Sequence, residues 1–314
     1  MAMLLPLLLA CTGPDVSDGP DPVDAALSLR DRCFGHLGEG AVAADYTELP
    51  DGLELVVPDH CLGTNHQDVG EVGRVVFLGD SITAGTPPTD EDEFYTTLVV
   101  EGLQARFGDV ESANCSAWGA RIDDLLVGGE QLASCFAEPT DRRTLVVFTV
   151  GGNDMVAWGE DLAGGQSLDE VEAAFEQGMV DLEATLTWLR ANEATLAPAG
   201  LSIVFANVYE YTDSTNEVGV CPLADFFDVP EDIEEFGEGY ATIGLRYAEM
   251  AVRTRSDVVF LHEDFCGHGF FYDDPENPCY RGPEAEMWFD GTCIHPTPEG
   301  HARIAEMVLA VVDE

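Results

Sequence analysis

Lysine is missing from this sequence. All 13 basic residues are arginine, set against 60 acidic ones, for a formal net charge of -47. A field of that sign repels polyanions and disfavours the basic patches that hold nucleic acid or anionic lipid. Most of the carboxylates read as a solvated acidic surface that keeps the chain soluble. The apolar run at residues 1–10 is too short to span a bilayer as a helix. No Cys-x-x-Cys pair occurs and the histidines are irregularly spaced, so no metal or cofactor is expected. Internal repeats and a second domain boundary are absent.

What is there fits one large α/β domain with extensions. The chain has 314 residues, 46% of them hydrophobic, enough for a sizeable core. Apart from Cys11 there are eight cysteines, an even number that suits four disulfides and an oxidising compartment. Proximity along the chain points to Cys33 with Cys61 and Cys115 with Cys135; sequence alone does not fix the pairing.

The amino end resembles an export signal. Leu8-Leu9-Ala10-Cys11 is similar to the bacterial lipobox, which implies lipidation of Cys11 as the mature N-terminus. No arginine or lysine precedes the run, and an ordinary signal peptide cleaved elsewhere is the alternative. Residues 12–23, rich in Gly, Pro, Asp and Ser, read as a flexible tether. The expected organisation is a signal and tether at 1–23, a disulfide-pinned lead-in at 24–73, and the main domain at 74–314. The lead-in carries His36, His60 and His66, whose spacing favours surface or structural roles. Membrane attachment is expected only through Cys11, in an otherwise monomeric, exported protein.

From residue 74 strands and helices alternate. Strands are expected at 74–78, 110–113, 144–150, 201–208 and 257–261, and helices at 93–107, 121–135, 168–192, 230–255 and 298–312. Ser167 with Glu170 three residues on has the pattern of a capping box. This alternation argues for a doubly wound, five-stranded parallel sheet flanked by helices. Residues 263–290 read as a substrate-side loop held by disulfides.

Four short blocks carry the chemistry. The apolar run Val75-Val76-Phe77-Leu78 ends in Gly79-Asp80-Ser81, which sets a serine at the carboxyl edge of the sheet. Asn114-Cys115-Ser116-Ala117-Trp118-Gly119-Ala120 follows a strand and opens a helix; Gly119 leaves its N–H free to donate. Gly151-Gly152-Asn153-Asp154 follows the third strand, where the Asn153 amide can meet a developing oxyanion. Asp154 reads as a cap. His295, in Asp290-Gly291-Thr292-Cys293-Ile294-His295-Pro296, precedes the closing helix. An imidazole there is a suitable base for a serine hydroxyl. His301 is a second candidate base that packs or faces solvent, and His262 and His268 are structural or substrate-adjacent. Trp118, Trp158, Phe270, Phe271 and Tyr272 are candidates for pocket or core.

Ser81, Gly119, Asn153 and His295, in this order and setting, resemble the SGNH hydrolase superfamily, the GDSL esterases and lipases, from residue 74 to the C-terminus. The resemblance implies Ser81 as nucleophile, His295 as base, and an oxyanion hole of Ser81 N–H, Gly119 N–H and Asn153. It also implies an aspartate three residues before the histidine, where this chain has Thr292. Either Asp290 reaches the ring through a longer loop, or a backbone carbonyl orients it. The implied function is a secreted serine esterase acting on short-chain, acetylated-carbohydrate or lipid esters. The alternative is a cell-surface glycan- or lipid-binding protein of the same fold without turnover.

Overall fold

The computed structural model describes the backbone of residues 28–222 and 234–314, with side chains for 28–222 and 239–314. The expectations for residues 1–23, Cys11 included, and for the start of the helix at 230–233 lie outside the described residues.

Five strands form one parallel sheet: β1 Arg74–Gly79, β2 Glu111–Asn114, β3 Thr144–Thr149, β4 Leu201–Ala206 and β5 Asp257–Val259. Their order across the sheet is β2-β1-β3-β4-β5. The helices are α1 Leu29–Cys33, α2 Ser81–Ala84, α3 Tyr95–Phe107, α4 Glu130–Cys135, α5 Gly152–Ala163, α6 Leu168–Ala191, α7 Glu193–Leu196, α8 Glu234–Thr254, α9 Leu261–Phe265 and α10 Pro298–Val312.

β1, β3 and β4 are buried along their whole length, as continuous apolar runs require. Successive side chains point to opposite faces. Val76, Leu78, Val146, Phe148, Ile203 and Phe205 meet α4, α6 and α8 on one side. Val75, Phe77, Leu145, Val147 and Val204 meet α3 and α10 on the other. The capping box at Ser167 and Glu170 forms as expected.

Residues 28–73 pack on the β5 side. Phe34 and Tyr46 join Phe260 in an aromatic cluster, with ring centroids 5.1–5.9 Å apart. Leu62, Gly63 and Thr64 run antiparallel along the outer edge of β5. Asp257 accepts hydrogen bonds from Thr64 Oγ1, the His66 N–H and Gln67 Nε2. Four disulfides join Cys33–Cys61, Cys115–Cys135, Cys221–Cys293 and Cys266–Cys279. The first two are the pairs that chain proximity indicates.

Two expected elements differ. The helix at 121–135 is a 3-10 turn, Ile122–Leu125, followed by the short α4, because Gly128 takes φ 90° and Gly129 becomes the N-cap. The block at 114–120 therefore leads into that turn rather than a regular helix. Helix α5 was not anticipated; its Gly-Gly-Asn-Asp start looks like a turn, and Gly151 at φ 108° is its N-cap.

Candidate active site

The sheet order reverses between β1 and β3, and in open α/β sheets ligands bind outside the carboxyl ends at such a point. Ser81 leaves β1 there, and Gly152 and Asn153 leave β3 beside it.

The turn into Ser81 is fixed from several sides. Gly79 sits at φ 110°, and a Cβ on it would lie 2.0 Å from the Thr149 carbonyl oxygen. No other residue fits. Gln131 holds both backbone groups of Gly79: its Oε1 accepts from the N–H at 2.7 Å and its Nε2 donates to the carbonyl at 2.9 Å. Asp80 caps α2, accepting from the Ile82 N–H at 3.0 Å and from Thr149 Oγ1 at 2.7 Å. Burial pushes the Asp80 carboxyl up to about 7, against these hydrogen bonds, which favour its charged form.

The closing loop brings His295 back to the serine. Its Nε2 lies 2.9 Å from Ser81 Oγ. Its Nδ1 lies 2.8 Å from Thr292 Oγ1, and Thr292 Oγ1 in turn donates to Asp290 Oδ1 at 2.5 Å. Neither expected route to the ring is the observed one. Asp290 does not touch the imidazole, and no backbone carbonyl does; the Thr292 hydroxyl stands between carboxylate and ring. The loop is tied at its base, where the Asp290 N–H donates to the His295 carbonyl at 2.9 Å and the Cys293 N–H to the Asp290 carbonyl at 3.0 Å. Tyr209 Oη donates to the Ile294 carbonyl at 2.7 Å. Burial holds the His295 pKa below its ordinary value, and the nearby Asp290 charge partly offsets this.

Of the expected donors, Asn153 lines the cavity at Ser81, and its Nδ2 donates one hydrogen to the Ala120 carbonyl at 2.8 Å. A primary amide has a second hydrogen to give. Gly119 lies in an exposed loop at φ 75°, two residues after Ala117, whose N–H bonds the Gly79 carbonyl. Neither the Gly119 N–H nor the Ser81 N–H has a hydrogen-bond partner among the described residues. Asp154 is no N-cap: its carboxylate is buried and accepts from the Ile122 N–H at 3.1 Å.

The other histidines are structural. His301 does not face solvent. It is fully buried, stacks on Tyr95, and accepts from the Tyr95 N–H at 3.3 Å; burial takes its pKa down to about 4. His268 stacks on Trp288 and bonds the Glu286 carbonyl, and His262 bonds the Val42 carbonyl. His36 bonds the Glu263 carbonyl and His60 accepts from the Leu62 N–H. Among the described residues no cluster of His, Cys, Asp or Glu is arranged to hold a metal ion.

A cavity of about 90 Å³ adjoins Ser81. Val150, Val208, Tyr209, Tyr211, Tyr240 and Leu261 supply much of its apolar wall. None of the five aromatic candidates from the sequence lines it. Trp158 packs edge-on against Phe175, and Trp118 is 66% exposed, its Nε1 donating to the Gly85 carbonyl. The 263–290 loop, folded on itself by Cys266–Cys279, does not line it either; residues 207–212, directly after β4, do. Those residues stand at the carboxyl edge of a central strand, the position from which they were legible. Gln131 and Thr292 were also missed. Thr292 carried one signal, its place three residues before the histidine.

Comparison with known proteins adds the following. No curated protein matches the chain. An alpha/beta hydrolase from the metagenome of Lake Arreo, Spain, is 20% identical, with 79% of this chain and 98% of that one covered at TM-score 0.47. An acetylxylan esterase from Geobacillus stearothermophilus is 18% identical, with 79% and 97% covered at TM-score 0.47. A gut microbial diltiazem-metabolizing enzyme is 17% identical, with 77% and 47% covered at TM-score 0.52, a likeness of fold. The sequence profile of the GDSL-like lipase/acylhydrolase family matches residues 77–303, most of the chain and all four blocks. The chain belongs to that family and is a carboxylic ester hydrolase.

Proposed function

We propose that this protein is an exported serine esterase acting through an acyl-enzyme, with Ser81 as nucleophile and His295 as base. The observation that carries the reading is the 2.9 Å contact between Ser81 Oγ and His295 Nε2 at the switch point of the sheet.

A serine hydroxyl is a weak nucleophile until a base takes its proton. His295 Nε2 accepts that proton as Ser81 Oγ attacks the ester carbonyl. The carbonyl oxygen becomes an oxyanion, held by the Ser81 N–H, the Gly119 N–H and the Asn153 amide. Each such donor is worth about 3–4 kcal/mol in the transition state. The tetrahedral carbon then expels the alcohol, which takes the proton back from Nε2. Water repeats the sequence on the acyl-enzyme and releases the carboxylic acid. Asp290 favours the imidazolium that forms in each half.

The small apolar cavity supports a short acyl group over a long chain, in a short-chain, acetylated-carbohydrate or lipid ester. Net charge favours neutral substrates over anionic ones. The four disulfides suggest an exported protein. Lipidation at Cys11 remains part of this reading; Cys11→Ser is expected to move the protein from the membrane to the soluble fraction.

The test is hydrolysis of p-nitrophenyl acetate and butyrate by wild type and Ser81→Ala. A loss of at least about a thousandfold is expected, with fluorophosphonate labelling of wild type only. Equal rates would remove the reading.

A further inference from the structure

Thr292 stands where the family resemblance calls for a carboxylate, and its hydroxyl touches both the ring of His295 and the carboxylate of Asp290. We propose that Thr292 is a positioning residue: its hydroxyl relays Asp290 to His295 and sets the tautomer in which Nε2 is free to accept from Ser81. The proposal rests on the reading of Ser81 and His295 as nucleophile and base.

The assignment follows from counting hydrogens. A threonine hydroxyl has one proton and two lone pairs; an ionised carboxylate only accepts. At 2.5 Å from Asp290 Oδ1, the Thr292 proton must point to the carboxylate. The hydroxyl oxygen then has only lone pairs left for His295 Nδ1 at 2.8 Å, so Nδ1 carries the hydrogen. A neutral imidazole protonated at Nδ1 has its lone pair on Nε2, which faces Ser81 Oγ at 2.9 Å. The order of donation runs from Ser81 to His295, from His295 to Thr292, and from Thr292 to Asp290. One oxygen anchors the relay, because Asp290 Oδ1 also accepts the Thr292 N–H at 2.7 Å.

Placing a neutral hydroxyl against the ring has a chemical consequence. The imidazolium formed during acyl transfer meets an uncharged acceptor, with the carboxylate one bond further away. The ionisable groups around it are Asp290 on its own loop, Asp80 at the start of α2 beside Ser81, and His301 on α10. His301 is neutral at working pH, since burial holds its pKa near 4.

The experiment compares wild type, Thr292→Ser, Thr292→Val and the double variant Thr292→Asp/Asp290→Asn on a p-nitrophenyl ester across pH. Thr292→Ser keeps the hydroxyl and is expected to stay within about tenfold of wild type. Thr292→Val has nearly the same shape but neither donates nor accepts. It is expected to lower kcat on the order of a hundredfold, with KM within about threefold, and to move the acid limb of the profile to lower pH. The double variant keeps one carboxylate and presses it directly on Nδ1, so its acid limb moves to higher pH. A residue that merely packs would not shift the two limbs in opposite directions. Active, Ser81-dependent wild type with unchanged turnover and acid limb in Thr292→Val would overturn the relay and leave the esterase reading standing. Wild-type turnover that survives in Ser81→Ala would overturn both. If Thr292→Val does not fold, the decision passes to the serine and double variants, where loss in the first or an unmoved limb in the second rejects the proposal.

Discussion

Asp290 is held two ways, through its backbone to His295 and through its side chain to Thr292, so charge and geometry at this residue are separable. Asp290→Asn keeps the acceptor that receives the Thr292 hydrogens and removes the charge. Turnover is expected to fall about tenfold to a hundredfold, while His295→Ala, which removes the base, falls by about 10⁴ or more. Steady-state kinetics on one ester decides this. Equal losses would mean the charge is as necessary as the base, and no loss would remove Asp290 from the chemistry. The contrast with Asp80 is one of environment. Asp80 is buried, its carboxyl is pushed up to about 7, and it serves as the cap that turns the chain into Ser81.

Among the elements, the base-bearing loop depends most on a covalent tie. Cys293, fully buried at φ 69°, joins it to Cys221, beyond the segment after β4 that walls the cavity. Closing a loop of 72 residues is worth about 4 kcal/mol by chain entropy alone. The double variant Cys221→Ser/Cys293→Ser is expected to lose stability of that order in a denaturant titration. Its turnover is expected to fall further than that of a variant lacking Cys33–Cys61, which lies away from the site. Equal effects from both would show that the first bond only stabilises. At this scale the sequence was informative where one signal dominated. β1, β3 and β4 read as apolar runs, and α10 matches its expected span because Thr297 and Pro298 mark its start. Periodicity failed where glycine decides: Gly128 breaks the helix at 121–135, and Gly151 starts α5 where Gly-Gly-Asn-Asp suggests only a turn. Ser81, Asn153 and His295 were legible because each sits at a strand or helix boundary. Thr292 was not, because its role lies in a contact that spacing does not reveal.

Across the whole molecule, buried carboxylates and acidic surface act in one direction with pH. Burial raises Asp80 and Asp213 to about 7 and Asp154 to about 6. A carboxyl raised on folding lends stability below its unfolded pKa, and that stability drains away as pH rises to the folded value. The buried imidazoles, depressed in the fold, act in the opposite sense, and their effect ends near the ordinary histidine value of about 6.5. Above it only losses remain, and repulsion within a chain of formal charge -47 adds to them. Thermal unfolding at low ionic strength should therefore give a Tm that falls from pH 6.5 to pH 8, with the fall reduced in 1 M NaCl. A Tm that climbs over this range would refute the account. The strip at 62–64 along β5 has a consequence for any shortened version of the chain. Begun at residue 74, the protein would bare a row of unsatisfied amides and carbonyls on its outermost strand, an open template for another copy. Light scattering of such a truncation should report self-association that the full chain does not show, making the lead-in a guard against aggregation.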